Sequence, residues 1–192
     1  MSKYQEVEAK YPLHNAEEVF QYIERLNLEQ KRINEVQHDT YYTPSHRNFL
    51  SEEIVSEWLR VRETSQKCSI NYKQFLPIGA VIQNYCNEYE TVIQDAYAVK
   101  KILEAMDFQI IIDVNKTRNS WIFEHVEISI DFVEVLGWYI ELEAMDEVSD
   151  DAIENVYDHF NKILLMLHAK IGKRDRRGYP FLVLEKTYKG EM

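Results

Sequence analysis

Charged and apolar residues alternate along many short segments of this chain, which is the pattern of a β-strand with one face buried. Near the N-terminus, Glu6, Glu8 and Lys10 recur at every second position, and Val7 and Ala9 lie between them. Because successive side chains of a strand point to opposite faces, this segment carries one charged row and one apolar row. The pattern predicts strands over residues 4–11, 35–43, 55–63, 67–75, 83–93, 108–119, 121–132, 138–145 and 179–187.

Three other segments have apolar residues at spacings of three and four, which is typical of amphipathic helices. The first is predicted to begin after Asn15, the second after Asp95, and the third after Ser149 or Asp150, ending near Gly172. This number of strands suits a closed barrel better than an open sheet, because closure removes exposed edges and creates an interior face. The charged rows would then line the interior, and the helices would cover the apolar outer face.

The composition favours one soluble domain over residues 1–192, since the chain is 45% hydrophobic and 29% charged and has little material for a linker. No apolar run approaches the length of about 20 residues that a membrane helix needs. The charged N-terminus and the two isolated cysteines predict a cytoplasmic protein with no membrane partner. The formal net charge of -11 argues against a nonspecific nucleic-acid partner.

The charged rows differ in sign from strand to strand. Acidic residues occupy Glu6, Glu8, Glu141 and Glu143, whereas basic residues occupy Arg60, Arg62, Lys116 and Arg118. A solvated polar face would explain any single row. Taken together, the rows match the needs of a metal-bound polyphosphate, because Mg²⁺ takes oxygen ligands and Arg and Lys neutralise phosphate oxygens.

These residues also stand in a recognisable order. The segment Glu6-Val7-Glu8-Ala9-Lys10 resembles the E-x-E-x-K signature of the CYTH superfamily, which includes class IV adenylyl cyclases, thiamine triphosphatases and inorganic triphosphatases. The resemblance runs from residue 4 to about residue 183. The later motifs are Asp39-Thr40-Tyr41-Tyr42, Leu59-Arg60-Val61-Arg62, Tyr72-Lys73, Glu88-Tyr89-Glu90, Lys116-Thr117-Arg118, Asp131 ahead of Leu136-Gly137, and Glu141-Leu142-Glu143.

The resemblance implies an α+β fold in which an eight-stranded antiparallel β-barrel forms a closed tunnel for a triphosphate. It implies Mg²⁺ or Mn²⁺ as cofactor, and Lys10 and Asp131 as catalytic candidates. The implied metal ligands are Glu6, Glu8, Glu141 and Glu143. The implied substrate-binding residues are Lys10, Arg60, Arg62, Lys73, Lys116 and Arg118, joined by Arg177 in a segment that resembles an R-S-Y element.

The stretch from Asp39 to Phe49 and the block from Asp131 to Glu143 are similar to the class IV cyclase branch, so an adenylyl cyclase acting on ATP is the first expectation. An inorganic or organic triphosphatase acting on tripolyphosphate or thiamine triphosphate is the alternative. A noncatalytic nucleotide- or polyphosphate-binding module is the third reading. The resemblance also leaves a homodimer open. The chain departs from the family pattern at Cys86-Asn87, where a basic residue and a Glu are usual.

Overall fold

The computed structural model describes residues 7–51, 53–80, 85–146, 148–174 and 176–188. In these ranges no helix is both long and apolar enough to cross a membrane. The strands are β1 (Glu8–Pro12), β2 (Glu29–Pro44), β3 (Glu57–Thr64), β4 (Cys68–Leu76), β5 (Tyr85–Ile93), β6 (Phe108–Phe123), β7 (Val126–Val133) and β8 (Gly137–Ala144). The α-helices are α1 (Ala16–Leu26), α2 (Ala96–Ala105), α3 (Ile153–Met166) and α4 (Gly178–Tyr188), and a 3-10 turn at Asp150–Ala152 precedes α3.

The eight strands form one sheet in the order β1-β8-β7-β6-β2-β3-β4-β5. The pairings of β1 with β8, β7 with β8, β2 with β3, β3 with β4, and β4 with β5 are antiparallel. The predicted α+β class with eight strands is therefore confirmed, while closure of the sheet into a barrel stays a prediction. The described residues divide into two compact units, and the single domain over 1–192 also stays a prediction.

Unit 1 comprises the described residues within 1–35 and 117–176. Its strands β1, β8 and β7 place Ala9 opposite Leu142 and Leu142 opposite Ile128, so these side chains share one face of the sheet. This apolar face packs with Val19 and Ile23 of α1 and with buried residues of α3 in one hydrophobic core. The charged side chains of the same strands therefore lie on the other face.

Unit 2 comprises the described residues within 36–116 and 177–192. Its core joins Tyr42 of β2, Leu59 and Val61 of β3, and Ala96 and Leu103 of α2. As predicted, α2 begins directly after Asp95, whose carboxylate accepts a hydrogen bond from the Ala98 N–H at 2.9 Å. Such a cap satisfies one of the backbone donors that the first helical turn leaves unpaired.

The prediction of a ninth strand over residues 179–187 is wrong, because this segment forms helix α4. Its aromatic and β-branched residues resemble a strand. However, Pro180 fits the first turn of a helix, where no backbone N–H is needed. Within α4 the buried side chains are Tyr179, Pro180 and Val183, so the burial follows a helical spacing.

Three further boundaries differ from the prediction. Helix α3 ends at Met166 and not near Gly172, and His168 beyond it takes the left-handed backbone region with φ 51. Strand β6 runs past residue 120, and the turn comes at Glu124 and His125, which have positive φ values of 45 and 62. Strand β2 begins at Glu29, and residues 4–6 of the first predicted strand lie outside the described residues.

Adjacent leucines in α3 test the placement of the unit 1 core. Leu164 is buried, whereas Leu165 is 76% exposed. We expect Leu164→Ala to lower the free energy of unfolding by about 2–5 kcal/mol, because the core loses apolar contacts and keeps a cavity. Leu165→Ala is the matched control and should change it by less than about 0.5 kcal/mol. Urea unfolding measures both, and equal losses would contradict the packing of α3.

Candidate functional site

The charged face of unit 1 is rich in acidic residues. On neighbouring strands, Glu8 lies opposite Glu143, and Glu143 lies opposite Glu127. One step along the strands, Lys10 lies opposite Glu141. The predicted charged rows of β1 and β8 are thus brought side by side on one face. Glu6 lies outside the described residues.

Lys10 is the cation at the centre of this acidic face. Its Nζ lies 3.2 Å from Glu141 Oε2 and 3.7 Å from Glu8 Oε1. Burial alone would lower the pKa of Lys10, but the charges of Glu141 and Glu8 outweigh it and raise the pKa above its usual value. Lys10 therefore stays an ammonium group near neutral pH, and its chemistry is that of a fixed positive charge rather than of a proton acceptor.

Arg118 is held by two carboxylates. Its Nε and Nη2 donate to the two carboxylate oxygens of Asp131, each at 2.7 Å, and Nη2 also donates to Glu141 Oε1 at 2.9 Å. All three side chains are buried. The paired bonds from a planar guanidinium fix its orientation, so the contacts of Asp131 are those of a residue that positions Arg118.

The sequence pattern did not indicate that Lys31 and Arg32 belong to this face. Both side chains form ion pairs with Glu127, and Arg32 also donates to Ser120 Oγ at 3.1 Å. Burial raises the pKa of Glu127, but the Lys31 hydrogen bond and the two cationic charges outweigh it and lower the pKa. These bases lie at the start of β2, where no alternation in the sequence reveals a strand.

The charged face of unit 2 is rich in basic residues that surround one carboxylate. Arg62 donates from Nε and Nη2 to the two oxygens of Asp39, each at 2.6 Å. Arg60 Nη1 lies 3.8 Å from the same carboxylate, and the Asp39 side chain is only 2% exposed. Burial raises the pKa of Asp39, but the Arg62 hydrogen bond and the charges of Arg60, Arg62 and Lys116 lower it to about 2.

Arg60 has hydrogen-bonding capacity beyond its contacts within unit 2. Its Nη2 donates to Glu90 Oε2 at 3.2 Å, and the Asp39 and Glu90 charges raise its pKa against the effect of burial. Its Nε is buried and has no hydrogen-bond partner among the residues that the structure describes. A buried donor without an acceptor is costly, and an acceptor supplied by a bound ion or water is one way in which proteins satisfy such a group.

The other predicted substrate-binding residues of unit 2 are Lys73, Lys116 and Arg177, and their surroundings differ from those of Arg60 and Arg62. Lys73 Nζ lies 3.2 Å from Glu88 Oε2. Lys116 is buried, with Nζ 5.0 Å from the centre of the Tyr179 ring. Arg177 directly precedes α4 and contacts that helix, since its Nη1 and Nη2 donate to the two oxygens of Glu185 at 3.2 and 3.1 Å. Its predicted role in substrate binding stays a prediction.

Two aromatic residues, Tyr41 and Trp58, lie on the basic face, and the sequence analysis did not predict them as site residues. In the strand register, Tyr41 lies opposite Arg60 and Trp58 lies opposite Lys73. The two rings meet edge to face, with centroids 5.6 Å apart, and both residues are buried. The signal was present in the sequence, because Trp58 stands two positions before Arg60 and must share its face in a strand.

The acidic face of unit 1 has the donor chemistry that a hard divalent cation requires, since carboxylate oxygens are its preferred ligands. The Glu8 side chain is 39% exposed, and its ion pair within the described part of the chain is the 3.7 Å contact to Lys10 named above. Glu141, in contrast, already bonds Lys10 and Arg118. Among the described residues, His, Cys, Asp and Glu side chains form no group of three arranged to hold a metal ion. The carboxylates of Glu8, Glu141 and Glu143 are nevertheless ligands of the type that such an ion prefers, and they lie on one face of the sheet.

A family model for the CYTH domain matches residues 4–179. The chain belongs to the CYTH family. This match confirms the resemblance read from the ordered motifs, and it extends over both units. Enzymes of this family, among them adenylyl cyclase-like proteins and triphosphatases, use a metal and bind triphosphates.

Three individual proteins illustrate the match. The CYTH chain is 26% identical over 177 residues to a Methanocaldococcus jannaschii protein whose name assigns it provisionally to the adenylate cyclases, with 91% of this chain and 95% of that protein covered. A Pyrococcus horikoshii structure is 31% identical with a TM-score of 0.76, covering 94% of this chain and 99% of the other. A Hippeastrum structure, described as an adenylyl cyclase candidate with a dominant triphosphatase activity, is 14% identical with a TM-score of 0.64, covering 98% and 97%. At that identity the Hippeastrum likeness shows the fold alone.

The low pKa of Asp39 gives a stability effect with a defined pH window. The pKa of Asp39 is about 2 in the folded chain and ordinarily 3.8, so ionised Asp39 stabilises the fold fully above pH 4. That contribution, about 2 to 3 kcal/mol, is lost as the pH falls through about 2.

Asp39→Asn tests this stability effect, because the variant leaves Arg60 and Arg62 without the carboxylate that they share. We expect the difference in unfolding free energy between the natural chain and this variant to be large at pH 6 and to shrink towards pH 2. Urea titrations across that range measure it. A difference that does not change with pH would show that Asp39 is not the ionised centre of the basic face.

Proposed function

We propose that this CYTH protein is a metal-dependent enzyme that acts on triphosphate-containing substrates. The observation that carries the proposal is the basic face of unit 2, where the Arg60 side chain is 13% exposed and keeps a buried Nε donor with no partner among the described residues. A phosphate oxygen is the acceptor that such a guanidinium binds best.

The basic face would neutralise the substrate's phosphates. Arg62 and Arg60 are already oriented by Asp39, so little conformational entropy would be lost when they bind a phosphate chain. Lys116 adds a positive charge to the same surroundings, since it contributes to the low pKa of Asp39. Charge stabilisation by prearranged donors is the main form of catalysis in phosphoryl transfer.

The acidic face of unit 1 would hold Mg²⁺ or Mn²⁺ through Glu8 and Glu143, with Glu6 and Glu141 as the further predicted ligands. When bound, the ion would neutralise phosphate charge and orient the oxygens around the reacting phosphorus. Lys10 keeps its proton because of Glu141 and Glu8, so it would stabilise negative charge in the transition state. Arg118 would do the same from the orientation that Asp131 imposes.

The reaction we propose first is that of an adenylyl cyclase, in which the ribose 3′-oxygen of ATP attacks the α-phosphorus and pyrophosphate leaves. The cyclase-like motifs and the name of the Methanocaldococcus jannaschii relative support it. The second candidate is a triphosphatase, in which water attacks a terminal phosphorus. The membership of triphosphatases in the CYTH family supports it, as does the chemistry of the predicted substrate-binding residues, which are all Arg or Lys and so suit phosphate.

The product distinguishes these reactions. Purified protein would be incubated with Mg²⁺ or Mn²⁺ and, in parallel, with ATP and with tripolyphosphate. Cyclic AMP released together with equal pyrophosphate would establish the cyclase. Orthophosphate from tripolyphosphate without cyclic AMP would establish the triphosphatase. Binding of both compounds without any turnover would contradict an enzyme and favour a binding module.

The role of Arg60 can be measured without turnover. We expect Arg60→Gln to weaken tripolyphosphate binding at least about tenfold, because a buried charge-assisted contact contributes roughly 1.5–3 kcal/mol. Arg25→Gln is the control, since Arg25 is an exposed residue of α1 with the same charge. Calorimetric titration with tripolyphosphate compares the two variants. Equal affinities would place the phosphate site elsewhere.

The role of Glu8 can be tested by removing its charge while keeping its shape. We expect Glu8→Gln to bind Mn²⁺ at least about tenfold more weakly and to lose metal-dependent turnover, because a neutral amide is a poor ligand for a hard cation. Its thermal unfolding should stay close to that of the natural chain. Glu17→Gln on the exposed side of α1 is the control. Unchanged Mn²⁺ affinity in Glu8→Gln would exclude Glu8 as a ligand.

A further inference from the structure

Residues 168–174 form a segment that follows the edge of β1 in unit 1, and we call it the strap. The sequence pattern had assigned this stretch to the end of the third helix, whereas α3 ends at Met166. The strap runs antiparallel to β1, with Ile171 bridged to Leu13. It begins at α1, where the Asn15 side chain accepts from the Lys170 N–H at 2.7 Å and donates to the His168 carbonyl at 3.0 Å.

The strap occupies the edge of β1 that faces away from β8. Towards β8, the Leu13 N–H donates to the Trp138 carbonyl at 2.8 Å and the Val7 carbonyl accepts from Ala144 at 3.0 Å. The alternate residues of β1 bond the strap instead. The His14 N–H donates to the Lys170 carbonyl at 2.8 Å, and the Pro12 carbonyl accepts from the Gly172 N–H at 2.9 Å. The strap thus satisfies backbone groups that an edge strand would leave unpaired.

Gly172 allows the strap to approach β1 closely. A Cβ atom at this position would lie 3.1 Å from Pro12 Cβ and 3.2 Å from His14 Nε2, which is tighter than about nine in ten real Cβ contacts. The only side chain that fits without displacing its neighbours is therefore a hydrogen atom. A larger residue at position 172 would therefore push the strap away from β1.

Arg174 ends the strap at the predicted metal ligand. Its Nη2 donates to the Glu8 main-chain carbonyl at 2.6 Å and to the Tyr157 hydroxyl at 3.2 Å. The guanidinium carbon lies 4.7 Å from the centre of the Tyr157 ring, so α3 holds the side chain by a cation–π contact as well. Because Arg174 bonds the backbone of Glu8, the Glu8 carboxylate is not used by this contact and stays on the charged face.

We propose that Arg174 is a positioning residue that fixes Glu8 for binding a divalent cation. The proposal rests on the function proposed above, in which Glu8 is a metal ligand. Because β1 is held on one edge by β8, a second attachment at Glu8 restricts the twist of the strand where the carboxylate must point at the ion. Partners of this kind, which orient a ligand without touching the metal, commonly change metal affinity by about 10–100-fold.

The test measures Mn²⁺ alone, by calorimetry, together with the thermal unfolding midpoint. We expect Arg174→Met to weaken Mn²⁺ binding about tenfold and Arg174→Lys to recover part of the loss, because lysine keeps one donor for the carbonyl. Lys173→Met removes the same charge from the neighbouring exposed position and should leave the affinity unchanged. If both methionine variants weaken binding equally, the effect is one of net charge and the proposal fails.

A double-mutant cycle separates this proposal from the assignment of Glu8 itself. If Glu8→Gln weakens Mn²⁺ binding and Arg174→Met weakens it no further in that background, Arg174 acts through Glu8. Independent, multiplying effects would overturn the positioning role. If Glu8→Gln has no effect, the proposed metal site fails instead. Should Arg174→Met not fold, Tyr157→Leu removes both the hydroxyl and the ring that hold the Arg174 side chain, and an unchanged Mn²⁺ affinity in that variant would contradict the proposal.

Discussion

A charge that is removed from water needs a partner of opposite sign, and this constraint organises both charged faces of the molecule. In unit 1 the Lys10 ammonium lies between Glu8 and Glu141, and in unit 2 the Asp39 carboxylate lies between two arginines. The hydrophobic cores depend on the same arrangement. Because strands alternate, the apolar residues can meet the helices only if the charged residues between them are satisfied on the opposite face.

Acidic and basic side chains are not equally numerous on either charged face, and this imbalance relates the fold to the proposed chemistry. Acidic residues outnumber basic ones on the face of unit 1, where Lys10, Lys31, Arg32 and Arg118 meet Glu8, Glu127, Glu141, Glu143 and Asp131. On the charged face of unit 2, Arg60 and Arg62 share the buried Asp39 carboxylate. A protein that needed these charges for stability alone would match them locally. Surplus carboxylate on one face and surplus guanidinium on the other are what a cation and a polyanion would neutralise.

The strands and their charged rows could largely be predicted from the sequence, because the alternation of charged and apolar residues at every second position is a local property. Glu8 and Lys10 share a face in any strand, as do Arg60 and Arg62, so the charged rows and their sign were readable without a structure. The ordered motifs identified the family for the same reason. What alternation cannot provide is the register between strands, which makes Lys10 the partner of Glu141 and Arg62 the partner of Asp39.

The features that escaped prediction depend on context beyond a few residues. Helix α4 has the composition of a strand, and Pro180 was the local sign of its helical start. Lys31 and Arg32 lie in a polar stretch with no visible period, so only their contact with Glu127 reveals their place. Arg174 lies in a run of basic residues just beyond the predicted end of the third helix near Gly172. Its bond to the Glu8 backbone follows from the end of α3 and the path of the strap, which no local pattern specifies.

The proposed chemistry requires this chain to bind a triphosphate together with a divalent metal ion. The most direct measurement is the affinity of the natural chain for tripolyphosphate by calorimetry, with and without saturating Mn²⁺ and over a range of salt concentrations. We expect saturable binding that becomes tighter with Mn²⁺ and weaker with added salt. Binding that is indifferent to Mn²⁺, or no binding at all, would contradict it.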